Sequence, residues 1–464
     1  MAADITKLLN IYNQEHLLRH LDLLTDSGQQ VLLRDIEQID FRQTTNLYAA
    51  YRSLLNAESE KKVLQEADPL SYIQPEASSQ ERKRLYSIGE DCLGQGRVAV
   101  FLVAGGQGTR LGFKGPKGCF AISPVKGKSL FQLFAESIRA LQRRYGRPLP
   151  WYIMTSRENN AATSAFFEQN HFFGLKREQV HFLIQKQIPS LDLEGRLIIS
   201  RDKTIFKNTD GHGGSISALH DSGALEEMTR QGIEEIFYFQ VDNPLVKIAD
   251  PLFIGAHVEH NAEMSSKAVK KVDPLERVGI IGRINGRLGC IEYSELSEKE
   301  TRERKKDGRL RFSSANIAVH MLNRAFVEKI NKEQGFSLPH HIAAKEIESL
   351  DVNGSSHILK KIEGIKFEMF IFDALGFAQN SVTLEVSREE EFSPVKNSRG
   401  ADSPDTARRA MINLHKKWLK GSGKMPSVPD SLVVEISPLY ALDADEFKEK
   451  FTPPSQISSP LYLE

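Results

Sequence analysis

Four glycines, an arginine and a lysine stand close together in Ala104-Gly105-Gly106-Gln107-Gly108-Thr109-Arg110-Leu111-Gly112, followed by Pro116-Lys117. The chemistry these residue types offer is the binding of an anion. Glycine admits positive φ and lets backbone N–H groups approach a phosphate with no Cβ in the way. Arg110 can fork onto two phosphate oxygens, and Lys117 is a compact point charge. Charge-assisted hydrogen bonds contribute roughly 1.5–3 kcal/mol each, so four or five would hold a triphosphate. A glycine-rich turn that only joins a strand to a helix needs neither the arginine nor the Pro-Lys pair.

Spacing excludes two other phosphate loops. A P-loop needs Gly, four residues and then Gly-Lys-Ser/Thr. Gly127-Lys128-Ser129 has the second half, but Ile122 stands five positions before Gly127. A dinucleotide fingerprint needs Gly-x-Gly-x-x-Gly after a strand. Gly94 and Gly96 precede the apolar run, and Gly106-Gln107-Gly108 leads to Leu111.

Further candidates lie downstream. Asp242 ends the apolar run Ile236–Val241. It reads as a carboxylate that shares a divalent cation with phosphates, or as part of an Asx turn with Asn243-Pro244. Asp210-Gly211-His212-Gly213-Gly214 is a second glycine cluster. It reads as a close approach to a flat ligand such as a base, or as a plain loop. Gln185 follows a strand, and its amide offers a paired donor and acceptor to a base edge; a lone Gln is also an ordinary surface residue. Lys396 follows a Pro turn and reads equally as a phosphate ligand or a surface lysine. Ser123, Cys119 and the histidines have no nucleophile-base-orienter spacing. Phosphoryl transfer does not require one, since it rests on positioning and charge neutralisation.

The elements that must position these groups follow from the hydrophobic pattern. At 464 residues the chain is too long for one ordinary core. Residues 1–92 look helical, with Leu17, Leu21 and Leu24 on one face, and are expected to cap the main domain. A polar passage with Pro69 and Pro75 precedes a helix from Ser79. Residues 93–390 alternate strands and helices. Val98–Val103, Trp151–Thr155, Val180–Ile184 and Ile236–Val241 are expected strands, and Ser129–Tyr145 and Asn160–Gln169 expected helices. That pattern implies an α/β, doubly wound, mostly parallel sheet, whose ligands lie at the carboxyl ends of the strands. Glu368–Asp373 reads as a further strand, and the charged run Glu298–Arg311 as a solvated loop or hairpin, not a binding patch. Residues 391–464 are expected to form a small C-terminal module that contains a linker-like stretch at Lys420–Pro426.

Hydrophobic residues make up 40% of the chain and charged residues 26%, as in an ordinary globular protein. Lys+Arg and Asp+Glu both number 61, so no basic field points to nucleic acid or a membrane. Three widely spaced cysteines form no metal or disulfide pattern, and no apolar run approaches a membrane span. The expected location is the cytoplasm.

Gly-Gly-x-Gly-Thr-Arg with a following Pro-Lys resembles the signature of sugar nucleotidyltransferases, and of the UDP-N-acetylhexosamine pyrophosphorylase family in particular. The resemblance covers roughly residues 93–415, through LVAGGQGTRLG, PKG, PWYIMTS, FFGLK, DGHGG, VDNPLVKIADP, EYSE, ANIA, FIFDAL and EFSPVKN. It implies a Rossmann-like nucleotidyltransferase fold. It also implies an Mg²⁺-dependent transfer of uridylyl from UTP to N-acetylglucosamine 1-phosphate, with glucose 1-phosphate or several sugars as the alternative acceptor. A non-catalytic nucleotide-sugar sensor is the alternative outside the enzyme class. By the same resemblance Ala104, Gly105 and Gly106 meet the nucleotide, and Arg110 and Lys117 hold the UTP phosphates. Gln185 and Gly211 fall where uridine is recognised, and Asp242 at the metal and phosphate position. His212, Gly279, Glu292 and Asn316 fall around the sugar, and Lys396 at a phosphate. Two positions depart from the pattern. His212 gives a Gly-His-Gly form more like UDP-glucose pyrophosphorylases, and Ile184-Gln185 stands where the hexosamine branch has Gln-Gln.

Overall fold

The computed structural model describes residues 2–56, 63–66, 70–71, 80–271, 273–332, 338–353, 356–425, 427–454 and 459–464. Pro69, Pro75, Ser79 and Pro426 lie outside the described residues. The described chain folds as two compact units. One comprises residues 1–61, 186–214 and 338–371, and the other residues 62–185, 215–337 and 372–464.

The second unit is built on runs of apolar residues that are buried on both faces. Its principal strands are β1 (Val98–Val103), β2 (Trp151–Thr155), β3 (Val180–Ile184), β4 (Glu235–Gln240), β5 (Met264–Lys270), β6 (Ser314–Asn323) and β7 (Ser381–Val386). They lie in the order β7-β5-β6-β4-β1-β2-β3, with Leu70–Ser71 outside β7. β4, β1, β2 and β3 run parallel, as do β7 and β5. β6 runs antiparallel to both its neighbours. The result is a mixed α/β unit with a largely parallel central sheet.

Helices cover that sheet where their sequence supplies an apolar face. They are α1 (Gln80–Gly94), α2 (Leu130–Tyr145), α3 (Asn160–Gln169), α4 (Pro251–Glu259) and α5 (Pro404–Gly421). Ser129 caps α2 by accepting from the Gln132 N–H, and Gly146 ends it at φ 65°. Its buried face includes Phe131, Phe134 and Ile138, and Phe134 meets Phe239 edge-on at 5.0 Å. Burying a side chain of that kind contributes about 1.5–3 kcal/mol. α1 and α4 meet backbone to backbone. A Cβ on Gly89 would lie 1.9 Å from the Pro251 carbonyl oxygen, and one on Gly255 1.7 Å from that of Leu85.

The first unit has its own core. Helices Ala2–Ile11, His16–Asp22, Asp26–Glu37 and Phe41–Asn56 bury Leu9, Leu17, Leu32, Ile36 and Phe41 together with Leu191, Leu197, Ile365 and Phe367. The last two lie in a long antiparallel hairpin, His340–Asn353 with Ser356–Met369.

Several elements differ from expectation. The segment 1–92 does not stay together: its first helices belong to the first unit, whereas α1 belongs to the second, held there by the Gly89 and Gly255 contacts. The strand expected over Glu368–Asp373 stops at Met369, and Ile371–Gly376 coils into a tight helical turn. There the Ile371 N–H leaves the strand ladder and donates to His212 Nδ1 at 3.1 Å. The hairpin expected in Glu298–Arg311 is present, closed by Arg311 N–H to the Glu303 carbonyl at 2.8 Å, but a short helix, Glu298–Arg302, precedes it. α5 (Pro404–Gly421) falls where the hydrophobic pattern predicts no element. Among the described residues, no helix is long and apolar enough to cross a membrane.

Candidate active site

Register brings the candidate residues of the second unit to one edge. Val103 pairs with both Met154 and Gln240, and Thr155 pairs with Ile184. The next residue on each strand continues the row. Ala104 N–H donates to the Met154 carbonyl at 2.8 Å, Val241 N–H to Val103 at 3.1 Å and Gln185 N–H to Thr155 at 2.8 Å. The carboxyl ends of β4, β1, β2 and β3 therefore present Asp242, the glycine loop, Ser156 and Gln185 side by side.

The glycine loop folds back on itself. Gly108 N–H donates to the Gly115 carbonyl at 2.9 Å, and Lys117 N–H to the Gly106 carbonyl at 3.1 Å. Gly112 turns at φ 73° and Gly115 at φ 143°, conformations that side chains resist. The fold-back returns Lys117 to the glycine pair from which the chain departed. Gly118 then lies so close to α2 that a Cβ there would sit 2.2 Å from the Phe131 ring. Arg110 is exposed and Lys117 half-buried. Among the described residues neither side chain has a hydrogen-bond or ion-pair partner, so both cations are available to an anion. A Cβ on Gly105 would come 3.0 Å from Gln185 Oε1, whereas one on Gly106 would meet no atom within 4 Å. Among the described residues, nothing requires the second glycine.

Two buried asparagines hold this edge, Asn159, for which the sequence gives no signal, and Asn243, which it suggests only as part of an Asx turn. Asn159 is buried; its Oδ1 accepts from Ser156 N–H at 2.9 Å and its Nδ2 donates to the Ala104 carbonyl at 2.9 Å. Asn243 is also buried; its Oδ1 accepts from Leu245 N–H at 3.3 Å and Ser393 N–H at 3.1 Å. The Asx turn is thus present, but it uses Asn243, not the carboxylate of Asp242. Asp242 is half-buried, and among the described residues that carboxylate has no ion-pair partner. Val395 N–H donates to the Asp242 carbonyl at 2.8 Å, which brings Lys396 to the same edge. Lys396 is exposed, with Nζ 4.0 Å from Asp402 Oδ2 and 5.9 Å from the centre of the Phe392 ring.

Gly279, Glu292 and Asn316 gather around Cys290 in this unit. Asn316 N–H donates to the Gly279 carbonyl at 2.8 Å, and its Nδ2 lies 3.8 Å from Cys290 Sγ. A Cβ on Gly279 would meet that sulfur at 2.5 Å and Glu292 Oε1 at 3.6 Å. Burial, and then the charge of Glu292, push the Cys290 thiol well above its usual range, so it stays a neutral packing group. β6 runs antiparallel to β4 with His320 opposite Tyr238. Asn316, earlier on β6, therefore lies toward the edge at which β4 ends.

Gly211 and His212 belong to the first unit. Gly211 has φ 83°, and a Cβ there would lie 2.3 Å from the Met369 carbonyl oxygen; one on Gly213 would lie 2.7 Å from the Met369 carbonyl carbon. These glycines admit a neighbouring backbone of the same chain. His212 stacks on Phe370 at 5.1 Å between ring centres. Its Nδ1 accepts from Ile371, so the neutral ring carries its proton on Nε2. Burial, with nearby His341, lowers its pKa to about 4.

A cavity of about 1060 Å³ in the second unit, lined by Tyr86, Arg144, Lys247, Glu390 and Trp418 among others, includes none of the glycine-loop residues. Among the described residues, no group of three or more His, Cys, Asp or Glu side chains forms a metal cage.

A central sheet with an anion loop and a carboxylate at its carboxyl edge defines a class of nucleotide-handling α/β proteins. The family model for UTP–glucose-1-phosphate uridylyltransferase matches residues 44–458, and the chain belongs to that family. It is 36% identical over 451 residues to UDP-N-acetylglucosamine pyrophosphorylase of Saccharomyces cerevisiae, covering 94% of each chain. It is also 36% identical over 407 residues to UDP-N-acetylhexosamine pyrophosphorylase-like protein 1 of Homo sapiens, covering 82% of this chain and 80% of that one. Among solved structures it resembles the uridine diphosphate N-acetylglucosamine pyrophosphorylase of Trypanosoma brucei. The TM-score is 0.83 at 27% identity, with 96% of this chain and 94% of that chain covered.

Proposed function

We propose that this protein is a uridylyltransferase that forms UDP-N-acetylglucosamine and pyrophosphate from UTP and N-acetylglucosamine 1-phosphate. An oxygen of the sugar phosphate attacks the α-phosphorus of UTP, and the bond to the β-phosphate oxygen breaks as pyrophosphate leaves. Ala104, Gly105 and Gly106 receive the nucleotide. Arg110 and Lys117 neutralise charge on the departing phosphates. Lys396 binds the phosphate of the second substrate, and Gln185 and Gly211 recognise uracil. His212, Gly279, Glu292 and Asn316 line the sugar. Asp242 fits a role in holding Mg²⁺, which takes one or two protein carboxylates and fills its shell with phosphate oxygens and water, so no protein cage is needed. When bound, Mg²⁺ supplies neutralisation of phosphate charge. We read the sheet as the doubly wound sheet of a nucleotidyltransferase, and the cytoplasm as the location. The three free cysteines, none of them exposed, support that location.

The observation that carries this reading is the shared edge of Gln185, the glycine loop, Asp242 and Lys396, on a chain whose yeast relative at 36% identity is named for that activity. Pyrophosphate release is measured from UTP with N-acetylglucosamine, N-acetylgalactosamine or glucose 1-phosphate. The first is expected to give the highest kcat/KM. A preference for glucose 1-phosphate establishes the second reading, which His212 favours through its Gly-His-Gly setting. Absence of turnover with all three leaves a nucleotide-sugar sensor.

A further inference from the structure

Asp242 and Lys396 are 154 residues apart in sequence and follow different strands, β4 and β7. Something must set their separation, because a carboxylate and an ammonium acting on one phosphate chain are useful only at a fixed spacing. Asn243 has the geometry for this. Its Nδ2 donates to the Glu391 carbonyl at 2.6 Å. Its Oδ1 accepts from Ser393 N–H at 3.1 Å, and Val395 N–H donates to the Asp242 carbonyl at 2.8 Å. The segment leading to Lys396 is thus tied to the segment after β4 at three successive alternate residues.

The far side of the tie is anchored in the core. Glu391 is buried, and its Oε2 accepts from Lys267 Nζ at 2.6 Å. Lys267 is fully buried on β5, where the register with β6 shifts, and its Nζ also donates to Asp250 Oδ2 at 2.7 Å. Asp250 in turn caps α4 by accepting from Leu252 N–H at 3.1 Å. Burial opposes ionisation of Asp250, but Lys267 and Lys247 outweigh it and hold the carboxyl below its usual range. A buried ammonium satisfied by two carboxylates has little freedom to move, because any displacement leaves a charge unpaired.

We infer that Asn243 is a positioning residue for the transfer reaction: it acts through Lys396, fixing that ammonium relative to Asp242. The inference rests on the proposed role of Lys396.

The test is a double-mutant cycle on the full chain, with pyrophosphate release as the readout. Asn243→Ala and the near-isosteric Asn243→Asp, which keeps an acceptor but loses the Nδ2 donor, are each made alone and with Lys396→Ala. Each single Asn243 substitution is expected to lower kcat about 10- to 100-fold, with KM for UTP unchanged because the glycine loop is intact. In the Lys396→Ala background, the same substitution is expected to cost less than about threefold. Multiplicative losses would overturn the inference, since a general structural role acts in either background. So would kcat within threefold of the parent in both Asn243 variants while Lys396→Ala is impaired; the role of Lys396 would then stand. If Lys396→Ala itself turns over normally, both that role and the inference fail. Should Asn243→Ala not fold, Asn243→Asp decides the same outcomes.

Discussion

Residues 104–108 and 210–214 are both glycine clusters after short extended segments, yet their glycines answer to different neighbours. In the first unit, Gly211 and Gly213 are small because the Met369 backbone lies where their Cβ atoms would be. In the second unit, Gly106 faces open space, beside two cations without partners among the described residues. A glycine cluster in a sequence signals that something approaches closely. Only the fold tells whether that is the chain itself or a ligand from outside. The reading of Gly211 as a base-contacting glycine now has a competing cause, whereas Gly106 has none among the described residues.

The largest effect that can break this comparison comes from the cations. Arg110→Ala or Lys117→Ala is expected to cut turnover about 100- to 1,000-fold. The thermal midpoint should hold, because neither side chain has a partner to lose among the described residues. Near-normal turnover in both variants would remove the phosphate cradle from the mechanism. The glycines themselves come next. Gly211→Ala is expected to destabilise by about 2–3 kcal/mol through overpacking and a positive φ. Gly106→Ala should change stability by less than about 1 kcal/mol while raising KM for UTP. Denaturant unfolding and UTP titration check both, and a larger stability loss at Gly106 would reverse the contrast.

Asp242→Asn sharpens the picture of the second unit. The Mg²⁺ concentration for half-maximal rate is expected to rise about tenfold, and an unchanged metal titration would place the ion elsewhere. The smallest effect belongs to the first unit. His212 has a folded pKa near 4 against an unfolded value near 6.5. Between these values the unfolded chain binds the extra proton, so its contribution is present above pH 6.5 and lost as pH falls towards 4. Urea midpoints at pH 7 and pH 5 should therefore differ less in His212→Asn than in the parent. An equal difference in both would show that the ring does not titrate as buried.

What was legible in the sequence follows the same division. β1, β2 and β3 end where their apolar runs end, and the glycine loop announced itself because its residue types are unusual together. Asn159 gave no signal, and Asn243 showed only as part of an Asx turn: a lone asparagine is common, and the backbone groups these two hold, at Ala104 and Glu391, are distant in sequence. The hairpin over 340–369 was hidden for another reason. On its first strand the buried Ile347 and Leu350 are three residues apart, a spacing that mimics a helix face, and Lys345, Glu346, Glu348 and Asp351 stand around them. The split of the segment 1–92 was invisible because it depends on which partner α1 finds, not on its composition.

The seat between Gly89 and Gly255 bears on how this chain can be shortened or spliced. A helix resting on side chains can be exchanged for another of similar shape. α1 rests on main chain, with less than a methyl group's room at both crossing points. It is therefore the register mark of the second unit. A trimmed or chimeric chain that keeps residues 80–94 retains the support beneath α4, whereas one that replaces them must reproduce Gly89 and the close backbone approach to Gly255, or lift α4 from its place.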